Sequence, residues 1–162
     1  MELAGDRNLR KSLGSLILKY LETLSIEKIK NEPSEITFIT NYLDNMMKSL
    51  FHDPNKHMVQ WPNTTLNESK SRKYEGRSKQ PDFVVSIIHQ LQTDSVIFIG
   101  EVSPPSQRSN VYKNCKDLIR LGVFMKDCMD SAIDKGADIN VLGFHCVGKQ
   151  VSIVCFCLTK FL

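Results

Sequence analysis

Long hydrophobic runs are missing from this chain of 162 residues. The longest early run, Leu16-Ile17-Leu18, is cut by Lys19. A membrane-crossing helix needs about 20 apolar residues, and the hydrophobic core of a signal peptide is also longer than this. The expectation is therefore a protein without membrane association, in the nucleus or cytoplasm. Charge of one sign is scarce as well. Twenty-one Lys and Arg against 18 Asp and Glu leave a formal net charge of +3. A nucleic-acid partner would have to be met by local basic clustering and not by the overall field. The five cysteines are an odd number, and no two have C-x-x-C spacing. Cys155 and Cys157 lie two apart and would share one strand face. Small buried thiols in a reducing compartment fit this pattern better than a metal site or a disulfide framework. There is no Gly-rich phosphate loop, no nucleophile elbow and no internal repeat.

What is present is a chain able to build one domain with a proper core. Its residues are 41% apolar and 24% charged, the balance of an ordinary soluble protein. Residues 8–30 have helical spacing, with Leu9, Leu13, Leu16, Ile17, Tyr20, Leu21 and Leu24 as one stripe, and Asn31-Glu32-Pro33 ends the segment. A second helix is expected from the N-cap Ser34, with Glu35 in its first turn and Phe38, Ile39, Tyr42, Leu43, Met46, Met47 and Leu50 as its apolar stripe. Residues 52–80 read as a long polar loop with room for one extra strand. "PDFVVSIIHQLQTDSVIFIGEV" reads as a β-hairpin turning near Gln92-Thr93-Asp94-Ser95. A helix from about Val111 to Asp134 follows, with Gly136 as its C-terminal cap. A second hairpin, Ile139 to Val147 and Val151 to Leu158, closes the chain. Its last strand is apolar on both faces, which predicts a central position in the sheet. The whole suggests an α/β or α+β domain of two or three layers.

The chemistry-bearing residues gather around the first hairpin. Asp82 opens one strand and Glu101 ends the other, before Pro104-Pro105. Period-two alternation puts Asp82, Val84, Ser86, Glu101 and Ser103 on one face. One register sets Glu101 opposite Ser86, which separates the acids. The other sets Glu101 opposite Val84, and the two acids become diagonal neighbours roughly 7–8 Å apart. Such a pair suits Mg2+, which takes one or two carboxylates and keeps several waters. The Val102 carbonyl and the Glu35 carboxylate could complete the set. On spacing alone, a strand that merely starts at Asp82 and another that merely ends at Glu101 is the plainer reading. "KSRKYEGRSKQ" carries Lys70, Arg72, Lys73, Arg77 and Lys79. It is either a solvated loop or a strip that meets phosphate. His52, Asp53 and His57 are a weak metal pattern, and Trp61 could pack on the domain or stack on a base. His145 lies in a strand and reads as a core or edge residue.

"QPDFVV" followed by "VIFIGEVS" resembles the active-site signature of the PD-(D/E)XK nuclease superfamily, in which a Pro-Asp begins one strand and an acid-x-Lys ends the next. "RSKQPDF", "GEVSPP" and "DLIRLGVFMKDCMDSAID" are similar to a group of uncharacterised proteins multiplied in early-diverging fungi. The resemblance implies a restriction-endonuclease-like αβββαβ core, a mixed sheet flanked by helices, over residues 34–162. Residues 1–33 would be an amphipathic extension. The chain ends directly after its last apolar strand, so a truncation that removes a closing element is also expected. The resemblance further implies Mg2+- or Mn2+-dependent phosphodiester hydrolysis on DNA or RNA. Asp82, Glu101 and Glu35 would be the acids, and Arg77 and Lys79 would meet phosphate beside Arg72 and Lys73. Ser103 stands where the family has lysine. That lysine stabilises charge growing on the phosphate, and loss of one such donor can cost on the order of 10²–10³ in rate. Weak or absent cleavage is the expectation unless another cation substitutes. Lys113, Lys116, Lys126 and Lys79 are candidates, with Lys116 favoured because Lys126 would lie about 15 Å further along the helix. The rival expectation is a non-catalytic module that binds a protein partner or a second copy, with the acids as remnants.

Overall fold

The computed structural model describes residues 13–19, 21–22, 30–61, 80–137 and 139–156. Residues 13–19 and 21–22 are helical, inside the first expected helix. Ser34 caps the next helix, its Oγ accepting the Thr37 N–H at 3.3 Å. Helix α1 (Glu35–Phe38) runs through a π-helical turn (Ile39–Leu43) into α2 (Asp44–Phe51). The expected stripe is its buried side, with Phe38, Ile39, Leu43 and Met47 in the core and Leu50 left exposed. The polar loop does hold a strand, β1 (His57–Gln60). Trp61 packs on the domain: its ring centroid is 4.6 Å from that of Phe83, and its Nε1–H donates to Asp44 Oδ1 at 2.7 Å.

Strands β2 (Phe83–His89) and β3 (Gln92–Ser103) form the first hairpin. Its turn is Gln90-Leu91, both with positive φ, and not the polar Gln92–Ser95 stretch. A two-residue turn of this hand matches strand twist and normally advertises itself with Asn or Gly. Neither is present here, so the turn gives no compositional signal. Helix α3 (Val111–Asp134) starts at Asn110, whose Oδ1 accepts the Lys113 N–H. It stops in a Schellman motif. Gly136, at φ 71°, donates to Ile133 O, and Ala137 N–H donates to Ala132 O, each at 2.8 Å. Strands β4 (Val141–Val147) and β5 (Gln150–Phe156) follow.

The five strands lie in the order β1-β2-β3-β4-β5, antiparallel except for the parallel β3–β4 pair that α3 connects. One face packs Phe83, Val85, Phe98, Val102, Phe144 and Cys146 against α1 and α2. The other packs Val84, Ile99 and Val141 against Leu121, Phe124, Met125 and Cys128 of α3. The result is a mixed α+β domain, a five-stranded sheet flanked by helices. The expected central position of the last strand is corrected: β5 is an edge, with Ile153 72% exposed. Among the described strands β5 pairs with β4 alone, and the other side of β4 is taken by β3 through the crossover. Two-faced apolarity reports composition and not position.

Gly100 fixes the close approach of β3 to β4. Its register partner Phe144 lays its ring where a Cβ on residue 100 would stand. Gly100→Ala should therefore overpack this core and lower stability by about 1–3 kcal/mol. The measurement is the urea unfolding midpoint at constant m-value, and an unchanged midpoint would contradict the packing.

Candidate functional site

The site grows from the register of the first hairpin. Phe83 pairs with Gly100, so the next step outward sets Asp82 alongside Glu101. Both expected registers are thus corrected. Irregularities at Val85/Ser86 and Ser86/Ile88 slide the pairing by two positions between turn and open end. The shared face survives, because that shift is even. Asp82 is fixed by the backbone: its Oδ2 accepts the Val102 N–H at 2.8 Å. Val102 thus contributes its N–H to this arrangement.

Glu101 and Ser103 face α3, and both are fully buried, Glu101 at 1% exposure. The first three turns of that helix carry Lys113, Asp117 and Arg120, at spacings of four and three on one face. Arg120 Nη1 lies 3.2 Å from Glu101 Oε2 and 3.3 Å from Asp117 Oδ1. Its Nη2 donates to Gln80 O at 3.0 Å. One guanidinium thereby ties α3 to β3 and to the segment that leads into β2. Ser103 Oγ donates to Asp117 Oδ2 at 2.9 Å and accepts from Lys113 Nζ at 2.7 Å. Lys113 also pairs with Asp117 at 3.5 Å. An ammonium therefore stands at the Ser103 hydroxyl.

That lysine is Lys113, whereas Lys116 is exposed, about 100° round the helix from Asp117. Three residues is less than a full helical turn, and Lys113 is the position in phase with Asp117 and Arg120. Lys126 is exposed and paired with Asp130. Glu35, at the exposed start of α1, interacts electrostatically with Asp82, Lys113, Asp117 and Arg120, so it stands at the rim of the same cluster. Lys70, Arg72, Lys73, Arg77 and Lys79 lie outside the described residues. Among the described residues, no group of three or more His, Cys, Asp or Glu is gathered closely enough to hold a metal ion, and this includes His52, Asp53 and His57.

Burial dominates the electrostatics. It raises the Glu101 carboxyl to about 9, helped by the negative charge of Asp82 and opposed by Arg120. Burial also raises Asp82, against the Val102 hydrogen bond, while the largely exposed Glu35 is raised by partial desolvation and then by Asp82. His145, paired with Glu101 in the parallel ladder, is lowered by burial, with Lys113 adding to the effect and Asp117 opposing it. Two buried atoms in this cluster have no hydrogen-bond partner among the described residues, Glu101 Oε1 and His145 Nε2.

Sequence reasoning weighed Lys113 but missed Asp117 and Arg120, and it gave His145 no role. The signal was available on α3. The buried stripe of Leu121, Phe124, Met125 and Cys128 continues upward into charged residues at 113, 117 and 120. A core-facing stripe that turns ionic marks a polar cluster beneath it. No protein-family model, curated protein or solved structure matches the chain.

The raised carboxyls set a pH dependence. The native state holds protons that the unfolded chain releases above its ordinary carboxylate range. The stabilisation is complete below about 4.5 and is lost as pH rises towards 9 through the folded value of Glu101. Unfolding free energy measured by urea titration should fall between pH 5 and pH 9, and Glu101→Gln should flatten most of that slope. A wild-type profile already flat over this range would refute the buried neutral carboxyl.

Proposed function

We propose that the chain is a nuclease-like domain that contacts nucleic acid and hydrolyses phosphodiester bonds with a divalent cation, Mg2+ or Mn2+. The observation that carries this reading is the pairing of Asp82 with Glu101 at the open end of the hairpin, beside a lysine ammonium 2.7 Å from Ser103 Oγ. The order of elements from α1 through β4 also runs in the αβββαβ sequence that the signature implies. In that signature a lysine two residues after the second acid supplies positive charge. Here Ser103 holds that place, and Lys113 brings the charge to it from α3.

Two carboxylates are enough for Mg2+, which keeps several of its waters. Asp82 and Glu101 sit side by side, and Glu101 Oε1 is buried with no hydrogen-bond partner among the described residues. Asp82 and Glu101 would hold the ion and Glu35 would assist. When bound, the ion would activate water and neutralise phosphate charge. The chain's own groups do the rest. The Val102 N–H orients Asp82, Arg120 holds the far oxygen of Glu101, and Ser103 and Asp117 steer Lys113 towards the transferred phosphate. Arg72, Lys73, Arg77 and Lys79 would follow the nucleic-acid backbone.

One observation favours a second reading, a non-catalytic module for a protein partner or a second copy. Arg120 already pairs with Glu101 and Asp117, so the acids could serve only to anchor α3. A cleavage assay separates the two. Single- and double-stranded DNA and RNA are incubated with the protein in Mg2+ or Mn2+. Wild type should cleave one of them, Asp82→Ala should abolish cleavage, and Lys113→Ala should slow it by about 10²–10³. Lys116→Ala should leave the rate unchanged. Binding without cleavage leaves a nucleic-acid module, and the absence of any binding at low salt would sink both nucleic-acid roles.

A further inference from the structure

Two helical stripes of large apolar side chains stand open to solvent. The first lies on the helical residues 13–19 and 21–22. Leu13, Ile17 and Leu21 follow one another there at four-residue spacing on one face, 41–72% exposed. The second lies on α3. Val111, Tyr112, Leu118 and Ile119 are 46–80% exposed, and Cys115 among them is exposed too. At about 100° per residue these positions fall on the flank of α3 that faces away from Lys113, Asp117 and Arg120. Gly122 continues that flank, and a Cβ on it would meet no atom within 4 Å. The flank is low at that point, which lets a second helix come close.

Single apolar residues on a surface need no explanation, but contiguous stripes mark a contact. Each stripe has the i, i+4 ridge that packs into the grooves of another helix. Each stripe is thus the kind of occupant that the other requires, and within one copy both stay exposed. We propose that the chain pairs with a second copy by reciprocal exchange, the N-terminal stripe of each copy lying on the α3 flank of the other. Area favours two contacts over one. The seven side chains named with their exposures would bury on the order of 100 Å² each, so one contact gives roughly 700 Å² and two give roughly 1,400 Å². Specific interfaces bury about 1,200–2,000 Å², a size that only the closed two-fold pair reaches. Val111, Tyr112 and Cys115 share the first turns of α3 with Lys113, so the contact adjoins the polar cluster without using its acids. The pairing is independent of the proposed nuclease activity.

The test is sedimentation equilibrium of the full chain at micromolar concentration under reducing conditions. Wild type should have the mass of two chains. Ile17→Glu and Ile119→Glu should each weaken association by about 100-fold or more, because each buries a charge in the contact. Both side chains are exposed within one copy, so neither change disturbs its core. Ile153→Glu, on the exposed edge strand β5, should leave the pair intact. A monomeric wild type overturns the proposal. So does a dimer that only Ile119→Glu breaks, which is α3 against α3, or one that only Ile17→Glu breaks, which is the N-terminal stripe against itself. A dimer that Ile153→Glu breaks, or that neither helix variant breaks, overturns it as well and moves the interface to the sheet edge or elsewhere.

Discussion

A carboxylate buried at the end of a central strand is the constraint that organises this fold. Glu101 has 1% of its surface exposed, between a sheet and a long helix. A charge in such a place is strongly disfavoured unless it is paired or neutralised. Arg120 answers it from α3 and reaches on to Asp117 and Gln80. The rotation of α3 about its axis is thereby set by two requirements in phase. Its middle must bury Leu121, Phe124 and Met125, and its first turns must deliver Lys113, Asp117 and Arg120 to the end of β3. Neither could be met if the helix turned by a third of a revolution.

The sheet provides what the helix answers. Two shifts of register in the first hairpin bring Asp82 level with Glu101, and the parallel crossover brings His145 level with it from the other side. Gly100, one residue before Glu101, lets β4 carry Phe144 over the strand on the opposite face. The apolar packing below and the polar row above are consecutive residues of the same strands. Changing the packing of one must therefore move the other.

Much of the architecture was legible. The Ser34 cap, the stripe from Phe38 to Met47 and helix Val111–Asp134 with Gly136 beyond it are local signals, and local hydrogen bonding obeyed them. The shared face of Asp82, Glu101 and Ser103 was legible too, since alternation survives any even shift. The register was not legible, because the bulges that set it carry no Gly or Pro and the Gln90-Leu91 turn has neither Asn nor Gly. Distance along the axis favours Lys116 over Lys126, but angular phase decides which lysine reaches a strand, and that is Lys113. The edge position of β5 was hidden because sheet order depends on which neighbours are already taken.

Local sequence carries the elements, the face on which the acids lie and the serine two residues after Glu101. These are matters of period and identity within a few residues. Long-range packing brings an ammonium from α3 to that serine, Arg120 to Glu101, and His145 level with Glu101 on the next strand. The physical reason is distance along the chain. Arg120 follows Glu101 by nineteen residues and His145 by forty-four, and only helix phase, strand register and the crossover fold those intervals into contact.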